Sequence, residues 1–238
     1  MAEMVSVLIA RDDSLDRRAG GRAGTPRRAR LSERLLRLAL EDASGASARL
    51  WRTGRSASGR PIVSGGPPSV PRPDIGLAHS GAWLAAVASP GGAVAVDIEV
   101  VRERSFADLA RQLRWPAALR AAPLTANRFY QLWTLWEATL KLPGGYRQRQ
   151  RGLFAALARV FEPGAPGAAA AAACFAQSWL CPDRFWLTVV SCGARAPRIR
   201  LLAVAAWGMD GEAARLAEHE ADAGRIEPPA VARHPPLC

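Results

Sequence analysis

Residues 93–100, AVAVDIEV, combine the pattern of a buried β-strand with two carboxylates. Side chains alternate between the two faces of a strand, so Asp97 and Glu99 point to one side while Ile98 and the valines point to the other. Two neighbouring acids repel each other, and removing them from water adds a further cost. The strand therefore predicts a cationic partner between the two acids.

The other hydrophobic patterns predict a chain that mixes strands and helices. Helices are expected at 32–44, with Ser32 as N-cap and a stop at Gly45, and at 105–115 and 125–142, the last stopped by Pro-Gly-Gly. Residues 163–173, which end in six consecutive alanines, fit either a loop or a helix start. Strands are expected at 3–10, 48–53, 61–65, 93–100, 184–191 and 199–207, with another ending near His79. The predicted class is α+β, as one domain or as two similar lobes.

The length and hydrophobicity of the chain limit its class. A chain of 238 residues that is 49% hydrophobic can fold as one large or two small globular domains. No apolar run approaches the roughly 18 residues of a membrane span, so no membrane association is expected. The opening MAEMVSVLIARDD carries no basic leader and is interpreted as a first strand rather than a signal peptide.

The four cysteines show neither CxxC pairing nor regular spacing. This pattern predicts reduced thiols and a cytoplasmic location, and it argues against a structural zinc site. The cysteines are Cys174, Cys181, Cys192 and Cys238.

The formal charge is +11, and Lys141 is the only lysine among the 32 basic residues. Two explanations stay open. The arginine excess reflects a GC-rich coding bias, or it serves an anionic partner such as nucleic acid, a phosphorylated ligand or an acidic protein.

The predicted helix 125–142 carries a third acid on a face with Trp133, Glu137 and Lys141 at intervals of four. On an isolated helix such a Glu–Lys pair is usually a solvated salt bridge worth about 0.3–0.5 kcal/mol. Together with Asp97 and Glu99, however, Glu137 gives three carboxylates from two elements. This is the oxygen-rich donor set that Mg²⁺ prefers beside substrate phosphates.

Several motifs resemble those of the 4′-phosphopantetheinyl transferases. VAVDIE followed by LWTLWEATLK is similar to the family signatures G-(I/V)-D and W-x-x-K-E-(A/S)-x-x-K. SGRP at 58–61 resembles the family's Gly-Lys/Arg-Pro turn, and LAHSGAW at 77–83 resembles its His-Ser segment. The four matches occur in family order over about residues 30–145.

The resemblance is to the larger, surfactin-activating type and implies a monomer. It implies two similar α/β lobes, a pseudo-dimer, with the active site in the cleft between them. The expected lobes are 1–100, with a flexible basic segment at about 11–30, and 101–210, followed by a peripheral tail at 211–238.

Members of this family transfer the phosphopantetheine arm of coenzyme A to a serine of an acyl or peptidyl carrier protein. The resemblance implies that Asp97, Glu99 and Glu137 hold Mg²⁺ and that Glu137 is also the general base. It implies a phosphate contact for Lys141, where the retention of a single lysine fits a need for a compact ammonium.

The same resemblance implies several residues that bind coenzyme A. Arg60 and the backbone of Gly59 are expected at the nucleotide, and His79 and Ser80 at the phosphates. Arg34 or Arg37 is expected at the 3′-phosphate.

Two positions depart from the family pattern. Trp136 stands where the family usually has the lysine before its glutamate, and Val96 stands where it has glycine before the aspartate. The Trp136 change leaves open a catalytically impaired member that acts as a binding or regulatory partner. A basic nucleic-acid-binding protein is disfavoured because no recognised nucleic-acid-binding motif is present.

Overall fold

The computed structural model describes residues 4–12, 24–113, 115, 120, 124–143, 174–181, 185–193, 197–204 and 217–222. These residues form a mixed α+β structure with three helices and three sheets, so the predicted class is confirmed. The predicted segment 163–173 lies outside the described residues.

The helices follow two kinds of sequence signal, apolar periodicity and end caps. Thr125 caps the N-terminus of α3, since its side chain accepts a hydrogen bond from the Arg128 amide at 3.3 Å. A short 3₁₀ turn at Ala48–Leu50 precedes the second strand. The helices are α1 (Gly24–Ser44), α2 (Phe106–Gln112) and α3 (Ala126–Leu140).

Seven of the ten described strands correspond to predicted strands, whereas those at Trp83–Ser89, Cys174–Cys181 and Ala217–Asp222 were not predicted. Their bounds are β1 (Met4–Arg11), β2 (Trp51–Arg55), β3 (Pro61–Gly65), β4 (Asp74–Ser80), β5 (Trp83–Ser89), β6 (Ala93–Val100), β7 (Cys174–Cys181), β8 (Phe185–Cys192), β9 (Arg198–Val204) and β10 (Ala217–Asp222).

The five-stranded sheet has the order β10-β9-β1-β5-β4, with β1 parallel to β9 and all other pairs antiparallel. The three-stranded sheet has the order β6-β8-β7, and β2 and β3 form a separate hairpin. In the three-stranded sheet Asp97 lies opposite Thr188, and Glu99 lies opposite Trp186.

Strand alternation stacks the elements in four layers. On β1, Leu8 and Ala10 pack towards α1, whereas Val7 and Ile9 pack towards the three-stranded sheet. On β6, the even-numbered residues from Val94 to Ile98 face the five-stranded sheet. Odd-numbered β6 residues therefore face α3, and Ala95 does pack there with Leu135, Ala138 and Leu142. The order of layers is α1, five-stranded sheet, three-stranded sheet, α3.

Strand pairing connects distant parts of the chain. Strand β6 pairs with β8, and β9 pairs with β1 at the other end of the chain. The described residues do not by themselves show a two-lobe pseudo-dimer or a cleft, and the predicted lobes 1–100 and 101–210 stay a prediction.

Two boundary predictions need correction. Helix α1 begins at Gly24, so residues 24–30, expected in a flexible segment, are helical and Ser32 is not the N-cap. Pro26 lies in the first turn, where its missing N–H costs nothing. Within the predicted peripheral tail, Ala217–Asp222 forms the edge strand β10.

The prediction of unpaired cysteines is wrong for one pair. Cys174 and Cys192 lie directly opposite each other in the β7–β8 register and form a disulfide. Disulfides persist mainly in oxidising compartments, and in the cytoplasm these two thiols would be kept largely reduced. Of the described helices, none is long and apolar enough to cross a membrane.

Candidate functional site

The candidate site lies where β6 faces helix α3. The register and layer order place Asp97 and Glu99 on the helix side of the sheet, as strand alternation predicted. Glu137 and Lys141 lie one helical turn apart at the C-terminal end of α3. The structure thus brings together the acids and the lysine that the sequence placed about forty residues apart.

The buried Asp97 forms an ion pair with the half-buried Lys141. The Lys141 ammonium Nζ lies 2.5 Å from Asp97 Oδ1 and 3.5 Å from the Val96 carbonyl oxygen. Asp97 is only 4% exposed. Burial raises the pKa of Asp97 to about 7, because it outweighs the opposing effect of Lys141, and the charges of Glu99 and Glu137 raise it further.

Glu99 has a different partner from Asp97. The Ser80 hydroxyl donates to Glu99 Oε2 at 2.7 Å and accepts from the Val100 amide at 3.1 Å. Each acid on β6 therefore has its own partner. The sequence predicted a cation between the two acids, and in the structure the Lys141 ammonium contacts Asp97. Ser80 contacts an acid of the site, whereas the sequence prediction placed it at coenzyme A.

Glu137 is half-buried and electrostatically coupled to both strand acids. Burial raises the pKa of Glu137, and the charge of Glu99 adds to the effect while Lys141 opposes it. These mutual effects indicate that the three carboxylates lie in one partly buried region. Their convergence around one cation stays a prediction.

A metal ion would have to fit this set of side chains. Among the described residues, no three His, Cys, Asp or Glu side chains are arranged closely enough to hold a metal ion. However, Asp97 Oδ2 is buried and has no hydrogen-bond partner. A buried carboxylate oxygen without a partner is an oxygen donor of the kind that a hard cation such as Mg²⁺ prefers, although the described side chains do not by themselves form a complete metal site.

His79 and Arg28 extend the site towards α1. Much of the His79 side chain is accessible, but partial burial and the positive charges of Arg28 and Lys141 lower its pKa. Arg28 Nε is buried without a hydrogen-bond partner. The sequence analysis did not select Arg28, because residue 28 was assigned to a flexible segment rather than to a helix facing β4.

The other predicted basic residues lie in different settings. Arg37 pairs with Glu33 at 2.8 Å on the exposed surface of α1, and Arg34 is half-buried on the same helix. Arg60 uses both terminal nitrogens within the protein, with acceptors that include Asp74 and the Lys141 carbonyl. Gly59 forms the adjacent turn with φ +80°, and its carbonyl accepts from Arg55 at 2.8 Å.

Trp136 directly precedes Glu137 on α3. It packs against a buried aromatic cluster that includes Phe106, Trp115, Phe129 and Tyr130. This cluster fixes α2 against α3, so Trp136 contributes to packing where the family motif has a lysine. No protein-family model and no curated protein matches the chain.

Proposed function

We propose that the chain is a magnesium-dependent 4′-phosphopantetheinyl transferase acting on an acyl or peptidyl carrier protein. The observation that carries the proposal is the convergence of Asp97, Glu99, Glu137 and Lys141 where β6 faces α3. These are the residues that match the two signature motifs of the family. A solvated Glu–Lys helix pair, the simpler interpretation, does not fit, since Lys141 bonds to a buried aspartate on another element.

Asp97, Glu99 and Glu137 would hold the metal, with Asp97 offering its unpartnered Oδ2. Bound Mg²⁺ would supply charge neutralisation at the pyrophosphate of coenzyme A. The Lys141 side chain is 36% exposed, so its ammonium lies at the border of the acid cluster, where a phosphate oxygen can reach it.

Glu137 is the proposed general base. Its raised pKa brings it closer to neutral pH, where a base is most effective. The hydroxyl of the carrier serine gives its proton to Glu137 as its oxygen forms a bond to the phosphorus of the phosphopantetheine phosphate. The bond from that phosphorus to the leaving 3′,5′-ADP breaks in the same step.

The proposed coenzyme A phosphate contacts are His79 and Arg28. The lowered pKa of His79 keeps its imidazole neutral near pH 7, so it binds a phosphate by hydrogen bonding. Arg28 supplies charge, and its Nε is an unused buried donor. The net charge of +11 favours encounter with an acidic carrier protein.

We also propose a cytoplasmic monomer with no nucleic acid or membrane as partner. A second candidate, a family member that binds its partners without transfer, is favoured by Trp136 alone.

The decisive experiment is mass spectrometry of apo-carrier proteins incubated with coenzyme A and Mg²⁺. We expect a carrier to gain the mass of the phosphopantetheine arm, and Asp97→Ala to abolish the gain. Asp108→Ala is the matched control, since Asp108 is an exposed aspartate paired with Arg111 on α2. Transfer that survives loss of both Asp97 and Glu137 would refute the proposed site.

A further inference from the structure

Arg60 joins elements that are distant in sequence. It follows the turn between β2 and β3, and its side chain is only 17% exposed. Its Nη1 donates to the carbonyl of Lys141, which is 81 positions away in the sequence. Its Nη2 lies 2.5 Å from Asp74 Oδ2, 3.2 Å from the Val94 carbonyl and 3.3 Å from the Ile75 carbonyl.

Asp74 completes this connection. Its Oδ2 accepts from both Arg60 and the Val94 amide, the latter at 2.8 Å. One carboxylate oxygen and one guanidinium therefore link the starts of β4 and β6 to the end of α3. Each polar group in the link has a partner, as buried polar groups require.

The position of Arg60 suits the end of a helix. Lys141 is the C-cap of α3, and its carbonyl is one of the terminal acceptors that no helical amide satisfies. A cation there also interacts favourably with the negative end of the helix dipole. The backbone of Lys141 is thus held by Arg60, while its side chain is held by Asp97 at 2.5 Å.

We infer that Arg60, oriented by Asp74, is a positioning residue that sets where Lys141 and Glu137 stand relative to Asp97. This inference rests on the proposed function and adds a role that the sequence resemblance did not give to Arg60. A guanidinium is required because it donates in two directions from one rigid plane, towards α3 and towards Asp74. Lysine at position 60 keeps the charge but loses this geometry.

The two roles of Arg60 predict different kinetics. A residue that contacts the nucleotide mainly raises KM for coenzyme A when it is replaced. A positioning residue lowers kcat, on the order of tenfold to a hundredfold for a displacement of about 1 Å, and leaves KM within about threefold. Arg60→Lys should therefore reduce kcat and spare KM.

The single lysine of the chain gives a readout that does not depend on activity. Labelling with ¹³Cε-lysine gives one side-chain NMR resonance, that of Lys141. We expect Arg60→Gln, which adds no second lysine, and Asp74→Asn to shift this resonance towards its position in Asp97→Asn. Arg52→Ala, an exposed arginine on the same hairpin, should leave it unchanged.

An unchanged Lys141 resonance in folded Arg60→Gln and Asp74→Asn would overturn the inference. A raised KM with unchanged kcat would also overturn it and favour the nucleotide contact. If the wild-type protein transfers no phosphopantetheine, the proposed function fails, but the NMR comparison still decides the positioning role. If Arg60→Lys does not fold, Asp74→Asn carries the same test without removing the guanidinium.

Discussion

Replacing Asp97 by asparagine should make the stability of the metal-free protein less dependent on pH. In the unfolded chain Asp97 loses its proton at its ordinary pKa of 3.8, whereas the folded protein keeps it until about pH 7. The folded state therefore binds the extra proton between these values. The stability that this proton contributes to the folded state is fully present at low pH and is lost as the pH rises through 7.

The magnitude follows from the size of that interval. One pH unit of unbalanced titration corresponds to about 1.4 kcal/mol. Between pH 5 and pH 8 the wild-type protein should lose roughly 3 kcal/mol relative to Asp97→Asn. Asparagine resembles the protonated aspartate in shape and charge, so the two proteins should be similar at pH 5 and differ at pH 8, with the variant more stable.

The assay is urea unfolding at pH 5 and pH 8, with and without Mg²⁺. Bound Mg²⁺ favours the ionised carboxylate, so it should stabilise the wild-type protein at pH 8, by about 1.4 kcal/mol at ten times its Kd, and not the variant. Asp108→Asn serves as control, because Asp108 is exposed. Equal pH dependence in wild type and Asp97→Asn would refute the argument from burial, and equal stabilisation by Mg²⁺ would refute the metal site.

Three further predictions follow from other parts of the structure. Gly76→Ala should lower stability by about 1–3 kcal/mol in thermal unfolding. The added Cβ would lie 2.9 Å from a Val87 methyl and 3.4 Å from the backbone of β6. Gly54→Ala is the control, because its Cβ meets only an ordinary contact at 3.7 Å and should have little effect. Reduction of the disulfide, whose cysteines are 18 positions apart, should lower the unfolding free energy by about 3 kcal/mol, and a Cys174→Ser variant should no longer respond to reductant. Trp136→Lys should destabilise the protein by more than about 1 kcal/mol through lost aromatic packing. In the transfer assay, a large gain from near zero in this variant would identify the wild-type protein as an impaired enzyme.

The sequence predicted those parts of the fold that depend on local periodicity. Strand β6 alternates strictly, so both its burial and the common face of Asp97 and Glu99 followed from the period of two. Helix α3 has a clear apolar repeat between Thr125 and Pro-Gly-Gly, and its predicted bounds differ by at most two residues from those observed. The pairing of Lys141 with Asp97 was not predicted, because it depends on how the layers stack.

The errors have equally specific causes. Ser32 satisfies the N-cap pattern, but the preceding Arg-Ala run also favours a helix, and the earlier start at Gly24 placed Arg28 within reach of His79. Strand β10 has the sequence AEHEAD, whose polar character resembles a tail; it is recognised only by its pairing with β9. The disulfide likewise depends on the β7–β8 register, which cysteine spacing does not encode.

The two acids on β6 illustrate how packing resolves a conflict that the sequence poses. Asp97 Oδ1 accepts a hydrogen bond from Lys141, and Glu99 Oε2 accepts one from Ser80. Each of the two carboxylates therefore has a donor from another element. The remaining charge is concentrated at Asp97 Oδ2, the buried oxygen to which no protein group donates a hydrogen bond. Because the two oxygens of one carboxylate can accept different partners, an added cation at Oδ2 need not displace Lys141 from Oδ1. Arg60 donates to the Lys141 carbonyl, so the residue that carries the ammonium is also held through its backbone.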